Sequence, residues 1–148
     1  MTDQTYAYFD TSTWLKLYLR EDGSKEARAL ARKYLPLSSS LLLLECFSAL
    51  ARKRETEDIE PSQLSQLIKR LRADVISLRL VNLSDPVLDK AQEVVLHTLA
   101  RTLDAIHIAS ALVFQEMAGI NLMFITSDRK QYGFAQMNDL KAIYVGAT

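Results

Sequence analysis

The sequence predicts an α/β protein whose central, mainly parallel sheet is covered by helices on both faces, a three-layer α/β/α arrangement. Short apolar segments rich in β-forming residues alternate with longer stretches whose apolar residues recur at helical spacing. Strands that alternate with helices in this way are typical of a parallel sheet, because each return crossover is usually a helix. With 148 residues and no repeat, linker or low-complexity segment, the chain is expected to form one domain over residues 1–148.

The N-terminal part of the chain predicts a strand that ends at a carboxylate. Residues 7–9 form an apolar run that stops at Asp10, and a helical pattern begins at Thr13. Asp10 is therefore expected at the C-terminal end of a first strand, which is the edge where open parallel sheets bind ligands. Asp10 or Ser12 could instead simply cap the helix that follows.

The next segment predicts a helix, a short strand and a second, apolar helix. Ser24 is a candidate cap for a helix that ends before Pro36, and residues 37–39 follow as a strand. Ser40 is expected to cap a helix over residues 41–55. This helix is apolar on most of its circumference, so we expect it to be buried.

Two further helices and a strand are predicted before a strongly apolar helix. Ser62 is a candidate cap for a helix with apolar residues at helical spacing, and residues 75–81 have the pattern of a third strand. Ser84 begins another helix, and Thr102 opens the strongly apolar one, which Gly119 ends.

The C-terminal part predicts a buried strand, a weak helix and a last strand. Residues 122–125 are a run of apolar residues typical of a buried strand, and residues 126–128 interrupt it with polar side chains. The helix that follows is expected to break near Gly133, and residues 142–145 close the chain as a strand.

Composition limits the kinds of partner that the chain can have. Hydrophobic residues make up 49% of the chain and charged residues 24%, which is ordinary for a soluble globular protein. Lys plus Arg and Asp plus Glu each number 18, so the net charge is zero. Nucleic acid would therefore have to bind to a local basic patch.

The cysteine content and the absence of targeting patterns indicate the cellular compartment of the protein. Cys46 is the one cysteine, which excludes an internal disulfide and suits a reducing cytosol. Residues 1–5 lack the basic start and apolar stretch of a signal peptide, and the leucine run 41–44 is too short to span a membrane. We expect a soluble, cytoplasmic protein.

Four carboxylates have positions that favour a shared site. Asp10 and Asp128 each follow a strand and precede a helix, so right-handed crossovers place both at the same edge of the sheet. Asp104 lies in the first turn of its helix. Glu45 lies on an apolar helix, where an uncompensated carboxylate is costly. Four acids at one edge would repel one another, and an all-oxygen set favours Mg²⁺ or Mn²⁺ as the ion that relieves this repulsion.

Each of these acids also has a purely structural explanation. Asp10 and Asp128 could cap helices, and Asp104 could favour the helix dipole. Glu45 could pair with a basic side chain, although Ala49 at i+4 offers it none within its own helix.

Motifs around these acids resemble, in the same order, those of PIN-domain proteins. The segment YFDTSTWLKLY at residues 8–18 resembles the opening of that family. The segments LE at 44–45, LDAIHIASA at 103–111 and TSD at 126–128 resemble its later motifs. The resemblance spans nearly the whole chain, and the chain length suits the VapC-type toxins of toxin–antitoxin pairs.

The resemblance implies an Mg²⁺-dependent endoribonuclease, with Mn²⁺ as a possible substitute, that hydrolyses RNA by a metal-activated water. It implies that the catalytic metal site consists of Asp10, Glu45, Asp104 and Asp128. Hydroxyl or backbone support would come from Thr11 or Ser12 and from Thr126 or Ser127. It also implies RNA as substrate and an antitoxin protein as partner. Lys130 stands where some relatives carry another acid, which leaves a second metal ion open.

Two further residues are candidates for support of the site. His107 is one turn after Asp104 and could orient it or touch substrate as an acid, although a structural role is favoured because no second His stands at metal-ligand spacing. Arg52 shares a helix face with Glu45 and is the best candidate for phosphate contact.

Two helices offer a surface for partners. The helices at residues 41–50 and 64–71 are expected to pack as a hairpin, and surplus apolar surface there could support a homodimer or an antitoxin segment.

Other functions are consistent with the fold. One is a PIN-fold module that binds RNA or protein without cleaving. Another is a phosphatase with an aspartyl intermediate, which we disfavour because such enzymes need a second Asp where this chain has Ser12.

Overall fold

The computed structural model describes residues 5–146 as one parallel sheet with helices on both faces. Residues 1–4, over which we expect no signal peptide, and residues 147–148 lie outside this range. The elements in chain order are β1 (Tyr6–Phe9), α1 (Thr11–Lys16), α2 (Ser24–Lys33), β2 (Leu35–Ser39), α3 (Leu42–Glu55), α4 (Pro61–Val75), β3 (Arg79–Val81), α5 (Asp85–Thr98), α6 (Thr102–Ala118), β4 (Met123–Thr126), α7 (Arg129–Met137) and β5 (Lys141–Tyr144). The described strands have the order β3-β2-β1-β4-β5, and every neighbouring pair is parallel. The predicted fold class is confirmed.

Alternation along β1 divides the apolar core between the two faces of the sheet. Tyr8 packs with Leu37 of β2, Phe124 of β4 and the helices α5 and α6. Phe9 points to the other face, because successive side chains of a strand alternate. There it packs with Trp14 and with residues of α2, α3 and α4. The three-layer arrangement therefore follows from one period-two strand at the centre of the sheet.

The strongly apolar helix α6 lies in the first of these cores, as its sequence predicts. It is buried along most of its length from Ala105 to Val113. It begins at Thr102 and ends at Gly119, which adopts a φ of 66° as its C-cap. That left-handed conformation costs glycine little, and it explains why the helix stops there.

Helix α3 is less buried than its composition predicts. Its core-facing residues are Leu42, Cys46 and Leu50, spaced four apart, whereas Leu44 is 68% exposed. A run of consecutive leucines covers all sides of a helix, so the run alone cannot show which side faces the core. The prediction of a buried helix is therefore wrong for this face.

Some predicted caps are displaced by one or two residues. At α3 the Ser39 hydroxyl accepts from the backbone N–H of Leu41 at 3.1 Å, and Ser40 lies in the turn. Glu60 rather than Ser62 caps α4, in a capping box with Gln63. The residue between Glu60 and Ser62 is proline, which favours the first position of a helix.

Two predicted elements have different lengths in the structure. Strand β3 is confined to Arg79–Val81, because Val75 ends α4 and the Ser77 hydroxyl donates to the Asp74 carbonyl in a turn. Helix α7 continues through Gly133. Glycine costs a helix only about 1 kcal/mol, and the Asp128 side chain caps the first turn of this one.

The helices α3 and α4 pack against each other, as predicted, and Leu50 and Leu71 are buried in the same core. Between residues 5 and 146, no helix is long and apolar enough to cross a lipid bilayer.

Candidate active site

The candidate site lies where the strand order reverses at the centre of the sheet. β1 is flanked by β2 on one side and by β4 on the other. Helical connections leave β1 and β4 in opposite directions, so a crevice opens beyond their C-terminal ends. Asp10 directly follows β1 and continues its ladder, since its N–H donates to the Ile125 carbonyl at 3.1 Å.

One pocket of about 600 Å³ at this edge is lined by all four predicted acids. They are Asp10, Glu45, Asp104 and Asp128. The pocket is also lined by four of the predicted support residues, which are Thr11, Ser12, Arg52 and His107. Thr126 and Ser127 contact these residues through hydrogen bonds. The fold thus brings together every residue that the sequence indicated for the site.

Asp10 is buried, with 4% of its surface exposed, and its carboxylate accepts several hydrogen bonds. Its Oδ1 accepts from the Ser12 hydroxyl at 2.6 Å and from the Thr13 backbone N–H at 3.1 Å. Its Oδ2 accepts from the Thr126 hydroxyl. Burial raises the pKa of Asp10, while the charge of His107 and these hydrogen bonds oppose the rise. Asp10 therefore caps α1 and also presents a constrained carboxylate to the pocket.

Hydroxyl groups tie the end of β4 to the start of α1. The backbone N–H of Ser127 donates to the Ser12 hydroxyl at 3.0 Å. The hydroxyls of Thr13 and Ser127 are 3.0 Å apart. Two segments more than 110 residues apart are thus held in register around Asp10.

Glu45 receives its compensation from outside its own helix. Its Oε1 accepts from the Thr11 hydroxyl at 2.9 Å and lies 2.6 Å from Nε2 of His107 on α6. Burial alone would raise the pKa of Glu45, but the hydrogen bonds and charge of His107 and the Thr11 hydroxyl outweigh it and lower the pKa. Glu45 is therefore ionised near neutral pH.

Asp104 lies in the first turn of α6, and Asp128 caps α7 beside the same pocket. Burial raises the pKa of Asp104, and the charge of Asp128 raises it further, with smaller contributions from Asp10 and Glu45. Asp128 caps α7 through the backbone N–H groups of Lys130 and Gln131, at 2.8 and 3.3 Å. The neighbouring carboxylates therefore disfavour the ionised form of Asp104.

The donor set fits a hard divalent cation, although the side chains are not gathered into a closed ligand shell. Over residues 5–146, no three His, Cys, Asp or Glu side chains stand close enough together to hold an ion as placed. Carboxylate oxygens are nevertheless the donors that Mg²⁺ and Mn²⁺ prefer. Burial and, after it, the charge of Asp128 raise the pKa of Asp104, so its ionised form is destabilised. A cation would reduce this repulsion by drawing the carboxylates inward.

A second cleft of similar volume, about 610 Å³, differs in its charges. It is lined by Arg20, Lys53 and Arg70 together with Glu21 and Asp58. Acids and bases are mixed there, whereas Arg52 is the one Lys or Arg among the described residues that line the carboxylate pocket.

Three residues that support the site were not predicted from the sequence. Tyr8 hydrogen-bonds to His107, Thr13 to Ser127, and Gln131 donates from Nε2 to the Asp104 carbonyl at 3.1 Å. Strand alternation could have separated Tyr8 from Ala7 and Phe9, since it points to the opposite face. No local pattern identifies a residue as the partner of one about 100 positions away.

The family of the chain is shown by its sequence. The family model of the PIN domain matches residues 7–138. The chain belongs to the PIN-domain family. That match includes all four acids of the pocket. A comparison with curated proteins found no match.

Solved structures with a similar fold include several toxin–antitoxin complexes. The chain is similar to a chain of a toxin–antitoxin complex from Klebsiella pneumoniae, with 16% identity and a TM-score of 0.65, over 93% of this chain and 95% of that one. It is similar to a chain of FitAcB from Neisseria gonorrhoeae, with 13% identity and a TM-score of 0.69, over 93% and 96%. A third is from VapBC2 of Rickettsia felis bound to a promoter DNA fragment, with 14% identity and a TM-score of 0.66, over 95% and 98%. At these identities the likeness concerns the fold.

Proposed function

We propose that this chain is an Mg²⁺-dependent endoribonuclease that hydrolyses RNA phosphodiester bonds with a metal-activated water, and that it is the toxin of a type II toxin–antitoxin pair. The observation that carries the proposal is the convergence of four carboxylates on one pocket at the switch point of a PIN-domain sheet. They come from four separate segments of the chain. Capping would explain Asp10 and Asp128, but it does not explain why Glu45 and Asp104 share their pocket.

The four acids, Asp10, Glu45, Asp104 and Asp128, would hold the cation. When bound, Mg²⁺ or Mn²⁺ lowers the pKa of a coordinated water and stabilises charge on the phosphate. Ser12 and Thr126 hold Asp10 by hydrogen bonds, and Thr11 holds Glu45. The chain's own contribution is thus a set of oriented oxygens.

Substrate binding is assigned to Arg52 at the edge of the pocket. Arg52 is exposed on α3, and its guanidinium donates to the Ser48 hydroxyl at 2.8 Å. A guanidinium beside a carboxylate pocket suits an RNA phosphate, because it supplies local positive charge in a protein of zero net charge.

An antitoxin protein is the proposed partner, and exposed leucines beside the pocket support this. Leu44 and Leu103 both line the pocket and are exposed, and Leu99 near the start of α6 is 87% exposed. Apolar side chains on a surface favour protein contacts. Structures with a similar fold are described as toxin–antitoxin complexes. We also propose a homodimer and a cytoplasmic location, where RNA and antitoxin would be met.

The alternative is a PIN-fold module that binds RNA or protein without cleaving. It is favoured by one observation, that the acids of the described residues are not gathered closely enough to hold an ion as placed.

Nuclease assays with isosteric variants separate these functions. Purified parent, Asp10→Asn and Asp104→Asn would be incubated with a mixed RNA pool in Mg²⁺, in Mn²⁺ and in EDTA. Asp89→Asn is the matched control, because Asp89 is exposed on α5 away from the pocket. We expect cleavage by the parent and the control in metal only, and none by the two site variants. RNA binding by the parent without cleavage in either metal would favour the binding module.

Partner binding is measured separately. The chain would be purified after expression from its native operon and analysed by light scattering at high concentration. A strict monomer with no copurifying protein would contradict both the homodimer and the antitoxin.

A further inference from the structure

Two hydrogen bonds, one buried and one partly buried, connect the central strand to Glu45. The Tyr8 hydroxyl lies 2.7 Å from Nδ1 of His107, and Nε2 of His107 lies 2.6 Å from Oε1 of Glu45. Tyr8 is fully buried, and His107 is 3% exposed. These hydrogen bonds thus lead from the core of the protein to one carboxylate of the pocket.

The chemistry of Glu45 sets the direction of its hydrogen bond to His107. An ionised carboxylate only accepts, so Nε2 of His107 must carry the proton that it shares with Glu45. The Tyr8 hydroxyl, which can both donate and accept, pairs with Nδ1 at the other end of the ring. Tyr8 therefore holds the ring with Nε2 directed at Glu45.

Packing holds both rings in place. The Tyr8 ring stacks on Phe124 with centroids 5.2 Å apart, and it meets the His107 ring edge-on at 5.7 Å. A hydroxyl on a ring that is fixed in the core defines where Nδ1 must lie. The opposite nitrogen of the same ring then defines where Oε1 of Glu45 must lie.

The same contacts exclude other roles for His107. Both ring nitrogens are used inside the protein, and the ring has almost no exposed surface. It therefore cannot reach an RNA phosphate as an acid. Its Nδ1 lies against Tyr8 and its Nε2 against Glu45, so neither nitrogen is directed at the carboxylate of Asp104.

We propose that Tyr8 and His107 are positioning residues for Glu45, which hold its Oε1 through Nε2 of His107 and so fix the carboxylate that would bind the cation. The inference rests on the proposed function, since it concerns the binding of a divalent ion in the pocket. Partners of this kind set the orientation of a ligating carboxylate, and their loss weakens metal binding.

The hydrogen bond from His107 to Glu45 gives a readout that does not depend on activity. The chain has two histidines, so a His97→Gln variant assigns the ring signals in a long-range ¹H–¹⁵N spectrum. We expect His107 of the metal-free parent to show a proton on Nε2, where Glu45 accepts it. We expect the signal of this proton to shift or broaden in Tyr8→Phe, because the ring loses its second anchor. A parent ring protonated on Nδ1 alone would overturn the inference.

The affinity for Mn²⁺, measured by calorimetry without RNA, tests whether the positioning of Glu45 contributes to cation binding. Tyr8→Phe should weaken Mn²⁺ binding by about tenfold, the lower end of the effect of losing a partner that orients a metal ligand. Tyr18→Phe is the matched control, because it removes a hydroxyl with a 2.7 Å hydrogen bond to Asp74 in the other core. It should bind Mn²⁺ as the parent does.

A pair of His107 variants distinguishes positioning from packing. The amide nitrogen of His107→Gln can take the place of Nε2, whereas that of His107→Asn lies nearer Nδ1. We expect His107→Gln to retain most of the Mn²⁺ affinity and His107→Asn to lose about ten- to a hundredfold. If His107→Asn does not fold, Tyr8→Phe decides the question, since it deletes a single oxygen.

Titration of the parent protein with Mn²⁺ distinguishes failure of this inference from failure of the proposed function. If the parent binds Mn²⁺ and Tyr8→Phe and His107→Asn bind it equally well, the inference is wrong and the proposed function stands. If the parent itself binds no Mn²⁺, the proposed function is wrong, and the inference is wrong with it.

Discussion

The Thr126 hydroxyl at the end of β4 donates a hydrogen bond to Oδ2 of Asp10 at the end of β1, across 116 positions of sequence. Both side chains are buried. Because β1 and β4 are neighbours in the sheet, this contact joins the first and last acid-bearing motifs of the chain. The orientation of Asp10 therefore depends in part on a residue at the end of the neighbouring strand.

Replacement of Thr126 by valine should destabilise the protein. Thr126→Val keeps the β-branched shape but leaves Oδ2 of the buried Asp10 without its donor, which costs roughly 1–3 kcal/mol. Urea unfolding at neutral pH in EDTA measures the loss. Thr126→Ser, which retains the hydroxyl, is the control. Equal stability of the valine variant and the parent would show that the hydrogen bond contributes nothing.

The positions of three acids could be predicted because each lies at a boundary that local sequence marks. Asp10 and Asp128 follow apolar strand segments, and Asp104 lies in the first turn of a distinctive helix. Parallel topology then brings such boundaries to one edge of the sheet. The local sequence pattern and the parallel topology together are sufficient to predict where these three acids lie.

The environment of Glu45 could not be predicted in the same way. Its own helix offers Ala49 at the position where a partner would stand, so the local sequence suggests an uncompensated acid. The partner is His107, 62 positions further on, and the alignment of α3 with α6 depends on packing of the whole core. The exposure of Leu44 on α3 could not be predicted for a similar reason. The composition of a helix does not show which of its sides faces the core.

Replacement of Asp10 by asparagine should separate charge from capping. Burial raises the pKa of Asp10, so its ionised form is costly, whereas an amide keeps an oxygen for the Thr13 N–H and an N–H₂ for Thr126. In EDTA at neutral pH, Asp10→Asn should melt at or above the parent. Asp10→Ala, which loses the cap, should be less stable by about 0.5–2 kcal/mol.

The same melting experiments are then repeated in millimolar Mg²⁺. An ion that binds only the folded protein raises its melting temperature by mass action, so the parent should gain and Asp10→Asn should gain much less. If Asp10→Asn melts well below the parent in EDTA, Asp10 is mainly a structural cap and its charge is not strained.

The pH dependence of metal-free stability should reflect the repulsion around Asp104. Burial and the charges of Asp128, Asp10 and Glu45 raise the pKa of Asp104, so the folded chain keeps this proton longer than the unfolded chain does. Its contribution to stability is fully present below about pH 4, the unfolded value, and is lost as pH rises through the raised pKa. Asp10 should act in the same direction, whereas Glu45, with its lowered pKa, contributes above about pH 4 and loses its contribution as pH falls.

Urea unfolding of the parent and Asp104→Asn across this range isolates the contribution of one acid. The free energy of unfolding of the parent minus that of the variant should fall as pH rises from about 4 and then level off. Mg²⁺ should oppose the fall, since it binds the ionised carboxylates. A difference that does not change with pH would show that Asp104 is not perturbed.

Arg52 should affect RNA binding rather than the chemical step. It is exposed beside the pocket and points to the side of α3 that carries Glu45 and Ser48, so it can neutralise one phosphate without contacting the cation. Arg52→Gln should raise KM and leave kcat nearly unchanged, because it removes binding that is equal in the ground and transition states. The slope of log KM against log salt should fall by about 0.7, the value for one phosphate contact on a single strand.

Arg54→Gln is the matched control for Arg52→Gln. Arg54 is also exposed on α3, but it lies two residues further along the helix and therefore on another side. An equal rise of KM in both variants would mean that the basic end of α3 acts only through its overall charge, and a fall in kcat with unchanged KM would place Arg52 in the chemical step instead.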